Sequence, residues 1–356
     1  MKPDEKVRRM ENEQSTSGRR SARLRQRAAW MYHVEEMTQS AIAEALGVGR
    51  VTVVRLLSEA RAMNEVRISL SRDISELSRL EIDIQKTFGI PEVVVAPLSA
   101  GGDPRLVTGA AAGQFITDLL QPGMKIGLGW GRTLFNVLGF LGELSVSQLT
   151  VVSLLGGITH VRQVNPAEFA WQFSRLFLAD CYLLAAPAIV DSAETKKALI
   201  ERCGLREVFD FAKSLDVVVV SVGGMASSST TNVFGFVSDS EQESLRNCGA
   251  VGDMLFNFFD QHGRLVEHPL NERAMSIPIK TIAATPNRIL VAGGSEKIDA
   301  MIGAFELIRP TVVITDEFTA RALLERSSSI KENDLRSPDV VKARTVVPSK
   351  ISRPHR

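Results

Sequence analysis

The residues best equipped for chemistry lie at four glycine-rich turns. The segment Lys125-Ile-Gly-Leu-Gly-Trp-Gly-Arg-Thr133 reads as a strand, a glycine loop and the start of a helix. Backbone N–H groups at such a helix start suit a phosphate or another oxyanion, and the side chains of Arg132 and Thr133 add donors. Gly156-Gly157, Gly223-Gly224 and Gly293-Gly294 mark three more turns of this kind. Asn165, Asp253 and Lys297 bring an amide, a carboxylate and an ammonium. A carboxylate accepts from hydroxyls and an ammonium holds an anion, so this set fits a small polyhydroxylated ligand, bare or phosphorylated.

Other chemistries find less support. Arg132 stands where a dinucleotide-binding GxGxxG needs its third glycine, and no Walker A, GxSxG or HExxH pattern occurs. The five histidines, His33, His160, His262, His268 and His355, are scattered. Asp316-Glu317 could be an acid pair, but Asp316 reads equally well as a helix N-cap. Cys181, Cys203 and Cys248 are too few and too dispersed for a disulfide framework or a cysteine zinc site. No catalytic residue, metal or cofactor is assigned.

A second set of reactive groups lies near the N-terminus. Residues 50–62 read as a helix with Val53, Leu56, Leu57 and Ala60 on its inner face. The opposite face carries Arg50, Val51, Thr52, Val54, Arg55 and Ser58. Before it, Thr38 caps a short helix through Leu46, in which Ile42 and Leu46 point inward, and Gly47-Val48-Gly49 makes a tight turn. This is helix-turn-helix logic, in which the outer residues of the second helix meet base edges in a major groove. Arginine reads guanine bidentately and valine packs on thymine methyls. Arg19, Arg20, Arg23, Arg25 and Arg27 suit phosphate contacts.

The elements that hold these groups follow from pattern. The chain has 356 residues, 44% hydrophobic and 23% charged, which excludes a disordered chain or a coiled-coil rod and leaves room for two domains. Residues 1–72 carry fourteen Lys and Arg against nine Asp and Glu, while the whole chain nets only +1. A basic end on an acidic body suits a polyanion-binding module joined to something else. The polar N-terminus does not read as a signal peptide, and no apolar run approaches the ~20 residues of a membrane helix.

Residues 1–20 read as disordered, 21–72 as the helix-turn-helix domain, with a first helix over 21–35 and a short strand over 65–70. Residues 73–88 are read as an amphipathic connector helix. Residues 89–326 alternate β-branched runs with helical stretches. Strands are expected at 93–96, 125–128, 149–154, 181–184, 217–222, 289–292 and 311–315. Repeated β-loop-α units imply a mostly parallel, doubly wound sheet, which binds ligands at the carboxyl ends of its strands. Residues 327–356 read as a flexible tail.

These motifs together resemble the SorC family of bacterial transcriptional regulators over about residues 23–325. The carrying segments are Ala29-Trp-Met-Tyr-His-Val-Glu35, Thr38-Gln39, Ile42-Ala43, the Gly127–Thr133 loop, Ser153-Leu-Leu-Gly-Gly157 and Asn165-Pro166. With them come Pro187-Ala-Ile-Val-Asp-Ser192, Gly249-Ala-Val-Gly-Asp253, His268-Pro-Leu-Asn271, Ala292-Gly-Gly-Ser-Glu-Lys297 and Ile314-Thr-Asp-Glu317. The resemblance implies an α/β protein, an N-terminal winged helix-turn-helix followed by a doubly wound, NagB/RpiA-like Rossmannoid effector domain without enzyme activity.

It further implies a cytoplasmic homodimer or homotetramer on double-stranded operator DNA, responsive to a sugar, sugar alcohol or sugar phosphate, with no membrane partner. The DNA-facing set becomes Thr38, Gln39, Arg50, Val51, Thr52, Val54 and Arg55. By position, the effector set becomes Trp130, Gly131, Arg132, Thr133, Asn165, Asp253 and Lys297. Gly49 stands where the family usually has a serine N-cap, and Val54 where a serine is common. A sugar-phosphate isomerase or deaminase with a regulatory N-terminal module is the alternative reading.

Overall fold

The computed structural model describes residues 21–63, 65–66, 76–142, 146–158, 165–233 and 235–336. The chain divides into two compact units, Met1–Ser71 and Arg72–Arg356. The expected disordered N-terminus, most of the 65–70 strand and the start of the connector lie outside the described residues. Glu65 and Val66 themselves are in no strand.

In the first unit, α1 covers residues 21–33, α2 Gln39–Leu46 and α3 Arg50–Ala62. Thr38 caps α2 through its side chain, and Gly47 ends it in the left-handed region at φ 64°. That conformation favours glycine and lets the chain reverse within three residues. Val53, Leu56, Leu57 and Ala60 are the buried residues of α3, on the face that the sequence spacing selects. They close on Ala28, Ala29, Ile42 and Ala43 to form one small core.

The second unit begins with α4 (Glu76–Phe88) and β1 (Glu92–Ala96), followed by α5 (Pro104–Leu119), β2 (Lys125–Leu128) and α6 (Arg132–Val137). Next come β3 (Thr150–Ser153), α7 (Pro166–Leu176), β4 (Asp180–Tyr182), α8 (Ala193–Arg202), α9 (Arg206–Phe211) and β5 (Val217–Val220). After these come β6 (Gly223–Gly224), α10 (Thr230–Val233), α11 (Asp239–Asn247), β7 (Gly252–Met254) and β8 (Asn257–Phe259). The unit ends with α12 (Pro269–Arg273), α13 (Ile279–Ala284), β9 (Asn287–Val291), α14 (Ile298–Ile308), β10 (Val312–Asp316) and α15 (Glu317–Arg336).

Seven strands form one parallel sheet in the order β1-β10-β9-β5-β2-β3-β4. The four valines of β5 are all buried. Val218 and Val220 join one hydrophobic cluster, Val217 and Val219 the other. This period-two division places a core on each face of the sheet, as buried parallel strands require.

Two further features depart from the sequence reading. A separate antiparallel sheet, β6-β7-β8, was not expected. The last helix runs on through Arg336, so the segment after residue 326 begins as helix rather than as flexible tail.

Candidate functional site

Parallel β9, β5 and β2 are neighbours, so their carboxyl ends emerge side by side at one edge of the sheet. The turn after β2 supplies Trp130, Gly131, Arg132 and Thr133, and the turn after β5 supplies Ser221, Val222 and Gly223. The turn after β9 supplies Lys297, while β7 adds Asp253. With Thr230, Thr231 and Leu255 these residues line a partly open cleft of about 350 Å³.

Among the charged groups of the cleft Asp253 is buried, and Lys297 and Arg132 are half-buried. Asp253 is 4% exposed, and burial pushes its carboxyl up to about 6, against the pull of the Phe256 N–H and of Lys297. Phe256 N donates to Asp253 Oδ2 at 3.1 Å. A Cβ on Gly223 would fall 2.3 Å from Asp253 Oδ1, so only glycine lets the carboxylate lie against that strand. Burial likewise brings the Lys297 ammonium down to about 8, with Glu296 opposing and Arg132 and Arg105 adding to the effect. Lys297 Nζ donates to Thr133 Oγ1 at 3.4 Å. The pocket therefore holds a carboxylate and an ammonium, each less stable in its charged form than in water.

Arg132 ties the start of α6 to the segment around Ser228 and Thr230. Its Nη2 donates to Ser228 O at 2.6 Å and its Nε to Thr230 Oγ1 at 3.4 Å. Desolvation, aided by Arg105, lowers its pKa. Trp130 stacks on Phe256 with centroids 5.3 Å apart and meets the edge of Phe236 at 6.1 Å. The wall rests on an unusual hairpin turn: Leu255 and Phe256 both have positive φ, 54° and 60°. Such a two-residue turn normally takes Asn and Gly. Here Asn257 Nδ2 braces it, donating to Met254 O, Leu255 O and Ser276 Oγ.

Six of the seven effector residues named from sequence thus lie on one cleft. Asn165 is not among its lining residues. Its Oδ1 accepts from Ala167 N, capping α7, and its Nδ2 donates to Ile158 O. Sequence reasoning missed Ser221, Thr230, Thr231 and Leu255. The hydroxyl run Ser227–Thr231 after Gly223-Gly224 was the available signal. Asp316 is 1% exposed and caps α15, its Oδ1 accepting from Thr319 N at 3.0 Å, so of its two readings the structure takes the cap.

In the first unit, Arg50, Val51, Val54 and Arg55 are exposed on α3, Val51 by 84%. Thr52 and Gln39 are partly buried and Thr38, though exposed, has its hydroxyl oxygen engaged in accepting from Ala41 N. Arg55 Nη1 donates to Glu59 Oε1 at 2.9 Å. Gly49 caps α3 with no side-chain bond. Arg25 corrects the sequence reading: it is buried and bidentate to Glu65, at 2.6 and 2.7 Å, so it braces the unit rather than facing phosphate. That bond holds the Glu65 carboxyl below its ordinary range.

Comparison with known proteins adds context. A family model described as "Putative sugar-binding domain" matches residues 72–325. The erythritol catabolism regulatory protein EryD of Brucella abortus is 32% identical, with 84% of this chain and 95% of that protein covered. The sorbitol operon regulator of Klebsiella pneumoniae is 30% identical, with 85% of this chain and 98% of the relative covered. The crystal structure of full-length SorC from Klebsiella pneumoniae superposes with a TM-score of 0.65 at 27% identity, covering 85% of this chain and 98% of that one. Among the described residues, no helix is long and apolar enough to cross a membrane, and no group of His, Cys, Asp and Glu could hold a metal ion.

Proposed function

The chain belongs to the SorC family of transcriptional regulators, and from that premise we propose a ligand-responsive DNA-binding regulator of a carbohydrate catabolic operon. The observation that carries this reading is the cleft itself, where Asp253 and Lys297 face one space from different elements in a chain that also bears an exposed helix-turn-helix face. The effector is a sugar, sugar alcohol or sugar phosphate. Asp253 accepts from its hydroxyls, and Lys297 with Thr133 holds its most electronegative end. Gly131 leaves backbone open to it, and Trp130 shapes the wall. The relatives named for erythritol and sorbitol operons support a polyol or its phosphate.

On the DNA side, Arg50 and Arg55 contact guanine or phosphate, Val51 and Val54 pack on thymine methyls, and Thr38, Gln39 and Thr52 set the register. The DNA-binding domain is winged, and the effector domain is of NagB/RpiA type and acts without catalysis. Paired protomers in the cytoplasm, as homodimers or homotetramers, read half-sites one helical turn or a multiple apart. To regulate, the effector must bind the DNA-competent and DNA-incompetent states with different affinity.

The test is binding of purified protein to DNA from upstream of its own operon, at fixed salt, with a panel of sugars, polyols and their phosphates. A specific complex whose affinity one compound changes is the expected result. Absence of specific binding under every compound, together with turnover of a sugar phosphate, would overturn the reading.

A further inference from the structure

The loop that carries the pocket lysine is fastened from behind. Gly294 N–H donates to Thr319 Oγ1 at 2.7 Å and to Asp316 Oδ2 at 3.2 Å. Thr319 Oγ1 donates in turn to Asp316 Oδ2 at 2.5 Å, and Thr319 N to Asp316 Oδ1 at 3.0 Å. Asp316 and Thr319 are each 1% exposed. One carboxylate thus holds the first turn of α15 with one oxygen and the Gly293–Lys297 loop with the other.

The fit leaves little slack. A Cβ on Gly293 would fall 2.5 Å from Asp316 Oδ2 and 2.7 Å from Thr108 Oγ1, and Gly294 has φ 110°. The turn closes through Lys297 N donating to Gly294 O at 3.1 Å, so the backbone that Asp316 and Thr319 grip is the backbone that aims Lys297. Close-packed interiors pass such displacements on rather than absorbing them.

The same clamp reaches the connector. Thr319 lies in the first turn of α15, whose Ala320 and Leu323 share a core with Leu77, Leu80 and Ile84 of α4. Arg321 donates to Glu317 at 2.8 Å and approaches Glu76, the first residue of α4, at 3.8 Å. In sequence, α4 is the first described helix after the DNA-binding unit.

We propose that Asp316 and Thr319 are positioning residues that set the Lys297 loop and couple it through α15 to α4, so that occupancy of the cleft is felt at the helix leading from the DNA-binding unit. Only the last link, from α4 to DNA affinity, rests on the regulator reading.

The test is residue-resolved hydrogen–deuterium exchange on the full-length protein without ligand, comparing wild type, Thr319→Val and Thr319→Ser. Losing this buried hydroxyl should speed exchange by about fivefold or more at residues 293–297 and also across 76–84. Thr319→Ser should restore both. Unchanged exchange in 76–84, or failure of serine to restore it, would overturn the coupling. Asp316→Asn, which keeps shape and an acceptor, is expected to show the same paired change and serves if Thr319→Val does not fold.

A second arm adds inorganic phosphate, erythritol 4-phosphate and sorbitol 6-phosphate to the operator complex. Thr319→Val should bind DNA as wild type does and lose the response. A normal response in that variant would overturn the proposal. If wild type itself binds no operator and answers no compound, the regulator reading fails instead, and the exchange result alone decides the clamp.

Discussion

The exposed face of α3 and the cleft at the sheet edge both present cations, but in opposite surroundings. On α3, Arg50 and Arg55 stand in solvent beside Val51 and Val54. In the cleft, Asp253 and Lys297 are already desolvated and their ionisation is displaced by burial. Solvated charges cost little to keep, are screened by salt and act in sum, which suits a long polyanion. Desolvated charges cost stability until a ligand satisfies them, and each then counts heavily. Under the proposed function, the contrast implies that affinity for DNA would be distributed over the α3 face, whereas recognition of the small molecule would be concentrated in two or three side chains.

The largest effect expected of this contrast concerns pH. Asp253 binds its proton more tightly in the folded state, so stability falls as pH rises from the ordinary carboxylate range through about 6, and levels off above that. A rise from 3.8 to about 6 corresponds to about 3 kcal/mol. Asp253→Asn should therefore gain on wild type by about that amount between pH 4 and 7, read from urea melts. Parallel pH curves for the two proteins would break the contrast.

Next, Lys297→Ala should weaken effector binding by about 100-fold, since a charge-assisted bond in the cleft is lost, while operator affinity in the absence of effector stays as in wild type. Titration calorimetry and a DNA-shift assay on the same preparation check both halves. A variant that responds like wild type would place the effector elsewhere.

On the solvated side, Arg50→Ala should cost about 1–2 kcal/mol of operator binding and flatten its salt dependence. Arg55→Ala should cost less, because Glu59 already holds that guanidinium. Equal losses at both positions would show that the pairing with Glu59 does not survive on DNA. The smallest effect is at Gly49, where φ is −74° and a Cβ meets only Thr52 Oγ1 at 4.0 Å. Gly49→Ser should raise stability by a few tenths of a kcal/mol through the missing cap, measured by denaturant midpoint.

How much of this was legible in the sequence depended on whether local chemistry agreed with the fold. Five of the seven parallel strands announce themselves as β-branched runs, β2 and β4 being the exceptions, and the inner face of α3 is readable from its spacing. Arg132, Thr133 and Lys297 could be named because glycine turns follow adjacent parallel strands, a geometry that brings sequence-distant loops together, whereas Trp130 and Gly131 were named through the resemblance and Asp253 lies on β7 of the other sheet. The β7–β8 hairpin was hidden because Leu255 and Phe256 occupy positive φ, where turn chemistry leads one to expect Asn and Gly. Backbone strain of this kind collects at ligand sites, where surrounding contacts hold it in place. Arg25 misled for a different reason: its partner Glu65 is forty residues away, and composition cannot distinguish a phosphate-facing arginine from one that clasps a carboxylate. Asn165 was named in a segment that carries the resemblance to the family, yet its side chain is occupied by capping a helix.

The central claim is that a small ligand in the cleft and DNA on α3 influence one another. Linkage makes this measurable without knowing the route: the factor by which the effector changes operator affinity must equal the factor by which operator changes effector affinity. The decisive measurement is calorimetric titration of the responding sugar, polyol or phosphate into free protein and into protein saturated with operator, at one salt concentration. The account predicts two different affinities whose ratio matches the shift in operator binding. Equal affinities in the two titrations would contradict it.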